Sequence, residues 1–266
     1  MNDLTCVLTI AGTDPSGGAG IHADLKTFQE LKTYGMSVIT TLVSQNTTGV
    51  QATHDIPLDF LKQQFDSILD DIPVHAFKTG MLENREIMQV FQDKMRHVDA
   101  PYIMDPVMVT TSGHPLIHED AQEFLREELL PLATVVTPNV PEAEVLTGKN
   151  ITTTDDMRKA AYELVHDYGA GAALVKGGHL KGEALDVLYD GLDFNVFSNP
   201  RINTDNTHGT GCTLSAAITA YMGQGIPLIE AVEKAKHYIT AALTHSLDIG
   251  KGSGPTNHWA PRMKED

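Results

Sequence analysis

Short apolar runs rich in β-branched residues alternate along the chain with longer stretches whose apolar positions recur at helical spacing. The runs predict strands near 5–11, 36–43, 74–78, 101–105, 133–136 and 172–176. The periodic stretches predict helices near 18–32, 58–70, 84–97, 119–130 and 154–168, the last opening on a Thr-Thr-Thr-Asp-Asp cluster able to cap it. Strand and helix in strict alternation point to an α/β fold with a parallel central sheet wrapped by helices. Past Gly177 the pattern changes to a hairpin, with strands near 185–190 and 194–197 about Asp190-Gly191, then two long helices near 210–223 and 227–247. The closing stretch KGSGPTNHWAPRMKED reads as loop. No repeat, low-complexity run or linker divides the 266 residues, so residues 1–266 are expected to form a single domain.

Composition narrows the choice of partner. Lysine plus arginine number 19 against 35 aspartate plus glutamate, a formal net charge of −16, which disfavours nucleic acid and anionic membranes. An anionic ligand must then be held locally, by backbone amides, a few lysines or a metal. Cys6 and Cys212 are the only cysteines, too few for a disulfide framework, and the first residues lack the basic stretch of a signal peptide. No window approaches the apolar length of a membrane span. These features predict a cytoplasmic protein.

In an open parallel sheet, ligands bind beyond the carboxyl ends of the strands, so the turns there carry the candidate chemistry. Ala11-Gly12-Thr13-Asp14-Pro15-Ser16-Gly17-Gly18-Ala19-Gly20 follows the first strand and opens a helix that contains Asp24 and Lys26. Its glycines let backbone approach a ligand and leave amides at a helix N-terminus, although it matches neither the dinucleotide nor the P-loop fingerprint. Asn206-Thr207-His208-Gly209-Thr210-Gly211-Cys212-Thr213 leads into a second such helix start, where convergent amides suit developing phosphoryl or oxyanion charge and a cysteine is expected to ionise more readily. Flexible connections and a small packing residue are the plain alternatives for these two segments.

Asp105, the Thr137-Pro138-Asn139 turn followed by Glu142, and Lys176 stand at other strand ends. Carboxylates beside phosphates suit Mg²⁺, which takes few protein oxygens, and Lys176 could reach a transferring phosphate. Each is also an ordinary turn or first-turn residue, and their joint placement after successive strands is what marks them. Gln45 and Asn46, after another strand, can donate and accept together, as a ring with nitrogens and an amino group requires. The 12 histidines form no metal pattern: HExxH and zinc-spaced cysteines are absent, and His54, His75, His97 and His118 read as surface or loop. His208, beside the second glycine loop, fits a structural or gating role better than a catalytic one.

LTIAGTDPSGGAGIHADLKTF, SVITTLVSQNTTGV, KTGML, MDPVMV, VTPNVPEAE, VKGGH and NTHGTGCTLSAAI, in this order over nearly the whole chain, resemble the hydroxymethylpyrimidine/phosphomethylpyrimidine kinases of thiamin synthesis, in the ribokinase superfamily. The resemblance implies a ribokinase-like fold, a mainly parallel central sheet flanked by helices. It implies transfer of the γ-phosphoryl of ATP, with Mg²⁺, first to 4-amino-5-hydroxymethyl-2-methylpyrimidine and then to its monophosphate. It further implies that Gln45 holds the pyrimidine, with Asp24, Gly12, Ala19 and the Val107 backbone lining its pocket. Asp105 and Glu142 would sit near Mg²⁺, with Asn139 and Thr210 at the nucleotide and Lys176 on phosphate. Gly209, Thr210, Gly211 and Cys212 would surround the transferring group. Sugar kinases of the superfamily place a basic aspartate where this sequence has Cys212, which leaves the identity of the base open. Superfamily relatives are frequently dimers, so a homodimer is expected.

Three competing readings have discriminants. A pyridoxal kinase on the same scaffold, or dual specificity, differs in one or two ring contacts. A silent pyrimidine sensor would not need Asp105, Glu142, Lys176 and Cys212 together. A cysteine-nucleophile hydrolase would need a partnered base, for which His208 is the one neighbour in sequence.

Overall fold

The computed structural model describes residues 4–108, 119–178 and 184–263. His118 and His179, which closes the VKGGH motif, lie outside the described residues. Contacts divide the chain into two compact units: one of residues 1–80, 99–101 and 202–266, the other of 81–98 and 102–201.

In the first unit, β1 (Cys6–Ala11) runs between two parallel neighbours, β2 (Tyr34–Ile39) and β5 (Ala76–Thr79), with Val7 opposite Gly35 on one side and Ala76 on the other. Every residue of β1 is buried, as expected of a strand covered on both faces. Helix α1 (Gly20–Glu30) connects β1 to β2 and buries Ile21, Ala23, Asp24, Thr27 and Phe28. After β2 the chain turns into an antiparallel ribbon of its own, β3 (Thr41–Asn46) with β4 (Gly49–Asp55), before α2 (Leu58–Leu69). The sequence pattern had suggested one strand over 36–43. The ribbon escaped it because β4 is exposed at all seven positions and shows no alternation of apolar and polar faces.

Helix α7 (Thr210–Gly223) is the buried spine of this unit, with every residue from Thr213 to Ala220 inside. Its small residues allow close approach: Ala216 and Ala220 pack with Val7, Ala76 and Phe28. Helix α8 (Leu228–Thr244) follows it, burying Ala231, Val232, Ala235, Tyr238, Ile239 and Ala242.

In the second unit, β6 (Tyr102–Met104), β7 (Val135–Val136) and β8 (Ala173–Lys176) are parallel, and β9 (Ala184–Tyr189) and β10 (Phe194–Asn199) add antiparallel strands at one side. The Asp190-Gly191 hairpin forms as expected: Gly191 takes φ +90°, and the Asp190 carboxylate accepts from the amides of Leu192 and Asp193. Helix α3 (Arg85–Met95) is capped by Asn84, whose side chain accepts from the Ile87 amide. Helix α6 (Thr154–His166) carries a full capping box, Thr153 with Asp156, at the polar cluster the sequence marked. The expected helix 119–130 is α4 (Glu119–Phe124), which loosens into a π-helical turn at 125–129 and a 3₁₀ turn at 130–132, where Pro131 denies the α-helix a donor. A short helix that the sequence pattern passed over, α5 (Val140–Thr147), starts directly after β7.

Among the described residues, no helix is long and apolar enough to cross a membrane, and no three or more His, Cys, Asp or Glu side chains group to hold a metal.

Candidate active site

The predicted site residues fall into two clusters, one in each unit. In the first unit the loop between β1 and α1 folds around one carboxylate. Asp14 is buried, 1% exposed. Its Oδ1 accepts from the Ser16 amide (2.8 Å) and hydroxyl (2.6 Å), and its Oδ2 accepts from the amides of Gly18 (3.0 Å) and Ala19 (2.7 Å). His208 brings Nε2 to 2.7 Å from the same Oδ2. Burial alone would raise the Asp14 pKa, but hydrogen bonds from His208, Ser16 and Gln45 outweigh it and hold the carboxyl well below the usual range. An ionised carboxylate only accepts, so His208 Nε2 carries the proton. Asp14 is the central site residue that sequence reasoning missed; the signal was an acid with amides two, four and five residues ahead in a glycine-rich turn.

This arrangement brings the two glycine loops into contact. Gly209 sits at φ +78°, and a side chain there would place Cβ 1.7 Å from the Gly18 carbonyl oxygen; one on Gly18 would meet the His208 ring at 2.5 Å. Only glycine fits at either position. Gly209 is the N-cap of α7, so Thr210, Gly211 and Cys212 form that helix's first turn, where amides have no intrahelical acceptor. The Thr210 hydroxyl donates to the Thr207 carbonyl (2.7 Å), and Cys212 is half-buried. Gln45 joins the cluster across a β-bulge between Ser44 and Gln45, a device that re-aims a side chain. Gly12 supports the other end of the loop, its carbonyl accepting from the Ile21 amide at 3.1 Å.

Asp24 is placed differently from what the resemblance implies. Its side chain is wholly buried, with Oδ1 2.8 Å from the equally buried Lys78 ammonium and Oδ2 accepting from the Thr9 hydroxyl at 2.6 Å. It is an internal ion pair beneath the loop rather than part of an open lining.

The loop after α8, which the sequence presented as a plain tail, ties the second glycine loop down. The His208 amide donates to the Gly254 carbonyl, the Thr256 amide to the His208 carbonyl, and the Gly254 amide to Asn206 Oδ1. The amides of Lys251 and Gly252 donate to Thr47 Oγ1 at the tip of the β3–β4 ribbon. Behind Thr213, His258 is buried with Nε2 3.2 Å from the Thr213 hydroxyl. Burial, helped by Lys26, lowers its pKa to about 4.

In the second unit, Asp105, Val107, Asn139, Glu142 and Lys176 come together. Asn139 caps α5 and forms a capping box with Glu142: Asn139 Oδ1 accepts from the Glu142 amide (2.9 Å), and Glu142 Oε2 accepts from the Asn139 amide (2.8 Å). Glu142 Oε1 takes the Met108 amide at 3.4 Å, securing the segment after β6 in which Val107 adopts φ +45°, a strained value for a β-branched residue. Lys176 extends from the end of β8 to 3.4 Å from Asp105 Oδ1. Glu142 is pushed up to about 7, by burial first and then by the neighbouring Asp105 charge, against the pull of Lys176. Burial would lower the Lys176 pKa, but Asp105 and Glu142 raise it, so it stays an ammonium. Among the described residues, the cluster thus sets the buried acids Asp105 and Glu142, with Asp186 nearby, against the Lys176 cation.

The chain resembles known proteins over almost its whole length. The sequence profile of the phosphomethylpyrimidine kinase family matches residues 14–257. The thiamine biosynthesis bifunctional protein of Geobacter sulfurreducens is 50% identical over 95% of this chain, which spans about half (52%) of that protein's length. The hydroxymethylpyrimidine/phosphomethylpyrimidine kinase of Rhizobium meliloti is 49% identical over 95% of this chain and 96% of its own. Among solved structures, an ADP complex of Bacillus subtilis pyridoxal kinase superposes with a TM-score of 0.92 at 42% identity, covering 98% of this chain and 100% of that one. With a family profile matched from the first glycine loop to the segment that ties down the second, the chain belongs to the phosphomethylpyrimidine kinase family.

Proposed function

We propose that the protein transfers the γ-phosphoryl of ATP to 4-amino-5-hydroxymethyl-2-methylpyrimidine and then to the resulting monophosphate, giving the diphosphate used in thiamin synthesis. The observation that carries this reading is the Gly209–Cys212 turn at the N-terminus of α7, fixed against the first glycine loop. The name of the near-full-length Rhizobium relative and the ADP bound to the Bacillus enzyme support the pyrimidine and the nucleotide in turn.

The roles divide by unit. In the first, Gln45 binds the pyrimidine ring, with Gly12 and Ala19 contributing backbone to its pocket. The amides of Gly209, Gly211 and Cys212 meet charge that builds on the transferring group, helped by the helix dipole, while the Thr210 amide is held by the Thr207 carbonyl. The substrate hydroxyl oxygen forms the new O–P bond as the bond to ADP breaks, and the hydroxyl proton leaves late, with the Cys212 thiolate as its acceptor. In the second unit Lys176 neutralises phosphate and Asn139 lies at the nucleotide. Asp24 acts from within the core by holding Lys78, and Val107 places its backbone through the strained turn.

The buried acids fit a hard divalent cation. Both Glu142 oxygens already accept an amide, which leaves lone pairs suited to contact through water, and the neighbouring Asp105 adds a second buried carboxylate. Asp105 and Glu142 would hold Mg²⁺, whose chemistry is charge neutralisation on the phosphates.

A cytoplasmic location is supported by Cys6 and Cys212, which are not joined in a disulfide. A homodimer rests on the superfamily resemblance and on the open β3–β4 ribbon, where Leu42 and Val50 stand exposed. Profile coverage that runs unbroken from 14 to 257 supports one ribokinase-like domain over residues 1–266.

Pyridoxal kinase, alone or as a second activity, is the alternative, favoured by the 42% identity and close superposition of the Bacillus enzyme. ATP-dependent phosphorylation of hydroxymethylpyrimidine, its monophosphate and pyridoxal, compared side by side with Mg²⁺, tests both. Diphosphate from the pyrimidine is the expected product. Phosphate on pyridoxal alone would move the activity to vitamin B6 salvage, and transfer to none of them would leave a binding protein.

A further inference from the structure

The most heavily bonded side chain in the first unit is a carboxylate to which the proposed chemistry gives no part. Asp14 gathers donors from two places in the chain: its own loop, through Ser16, Gly18 and Ala19, and the second glycine loop, through His208. Loop closure alone would need only the first set. The second fixes groups assigned to the reaction. His208 is the residue before the N-cap of α7, so its Nε2–H···Oδ2 bond to Asp14 sets where the Gly209–Cys212 amides stand relative to the first loop, and a Cβ on Gly209, only 1.7 Å from the Gly18 carbonyl oxygen, shows that there is no slack there.

We propose that Asp14 is a positioning residue that aligns the phosphoryl-transfer turn through His208. The inference rests on the kinase reading above and adds to it what holds the second loop in register. Neither Asp14 nor His208 exchanges a proton with substrate.

The test uses the full chain with His208→Ala, His208→Gln and Asp14→Asn, assayed with the pyrimidine. Misplacing a catalytic group by about 1 Å costs on the order of a hundredfold, so His208→Ala should lower kcat by about that factor with the pyrimidine KM changed less than about twofold. Glutamine offers an amide N–H in place of Nε2–H, so His208→Gln should recover kcat to within about fivefold of the parent. Asp14→Asn replaces one accepting oxygen by an N–H donor and should lower kcat by a similar factor. Equal damage from His208→Gln and His208→Ala would mean that the imidazole itself is needed, and would overturn the positioning role. An Asp14→Asn enzyme with unchanged kcat would overturn the part given to Asp14. Losses in kcat that merely track the folded fraction, measured by circular dichroism in the assay buffer, would make the contact structural only. If the parent phosphorylates pyridoxal rather than pyrimidine, the same variants are read on pyridoxal. If it phosphorylates neither, the functional reading fails by itself, and amide hydrogen exchange over 209–213, faster in His208→Ala and restored in His208→Gln, still decides whether the clamp exists.

Discussion

His258 is buried beneath the first turn of α7, and this makes stability depend on pH in a way that one substitution removes. Its imidazole has a pKa of about 4 in the folded chain against 6.5 for an unperturbed histidine, because burial penalises the cation and Lys26 adds repulsion. The unfolded chain therefore binds a proton at a pH where the folded chain does not, so the contribution is intact above pH 6.5 and is lost as pH falls toward 4. The difference, 6.5 − 4 = 2.5 units, corresponds to about 3 kcal/mol once both states are protonated, and linkage gives about 2 kcal/mol already lost at pH 5. Urea unfolding at pH 5, 6 and 7.5, for the parent and for His258→Asn, isolates this group, since every other titrating residue is common to the two. The variant should lose about 2 kcal/mol less than the parent between pH 7.5 and 5, whatever its own cost at pH 7.5. Parallel pH profiles would refute the assignment of a neutral, desolvated imidazole at this position.

Three further outcomes are expected. Asp24→Ala leaves the fully buried Lys78 ammonium without its carboxylate and should cost about 3–5 kcal/mol, read from the urea midpoint; a loss below about 1 kcal/mol would mean that water reaches the pair. Cys212→Ala should lower turnover by about 10²-fold or more with nucleotide affinity unchanged by calorimetry, and an unaltered rate would remove the thiol from the chemistry. Val107→Gly relieves a β-branched residue at φ +45° and should raise stability by about 1 kcal/mol, whereas a loss would show that the turn is held without strain.

Where a segment buries a face, its sequence announced it. The strands β1, β5 and β8 and the helices α6, α7 and α8 lie within a few residues of the expected ranges because their apolar positions must meet a core. The β3–β4 ribbon was hidden because Val50, Ala52 and Thr53 face solvent as fully as Gln51 and His54 do. Helix α5 was hidden by its brevity and by Pro141, although its start was visible in the pairing of Asn139 with Glu142, three residues apart. The site residues stood out where a strand end met a glycine or an acid, and the structure gathers them unit by unit. What could not be read was partnership over long separations: Asp24 with Lys78, Asp14 with His208, and residues 251–256 with the second glycine loop all join segments that no periodicity connects. Asp14 in particular reads as one more turn residue until the histidine 194 positions later is seen beside it.

The bonds from residues 251–256 to Thr47, Asn206 and His208 have a consequence for the order in which the protein is made. Synthesis runs from the N-terminus, and elements fold as they leave the ribosome. The first glycine loop emerges early, yet its acid waits for a histidine near the far end of the chain, and that histidine's own backbone waits for Gly254 and Thr256. A nascent chain can thus hold its parallel strands while the turn that would handle phosphate is still unset. Competence for phosphoryl transfer would then wait until residues 251–256 have been made, and a ribosome stalled before residue 251 would display a partly folded chain without a working turn.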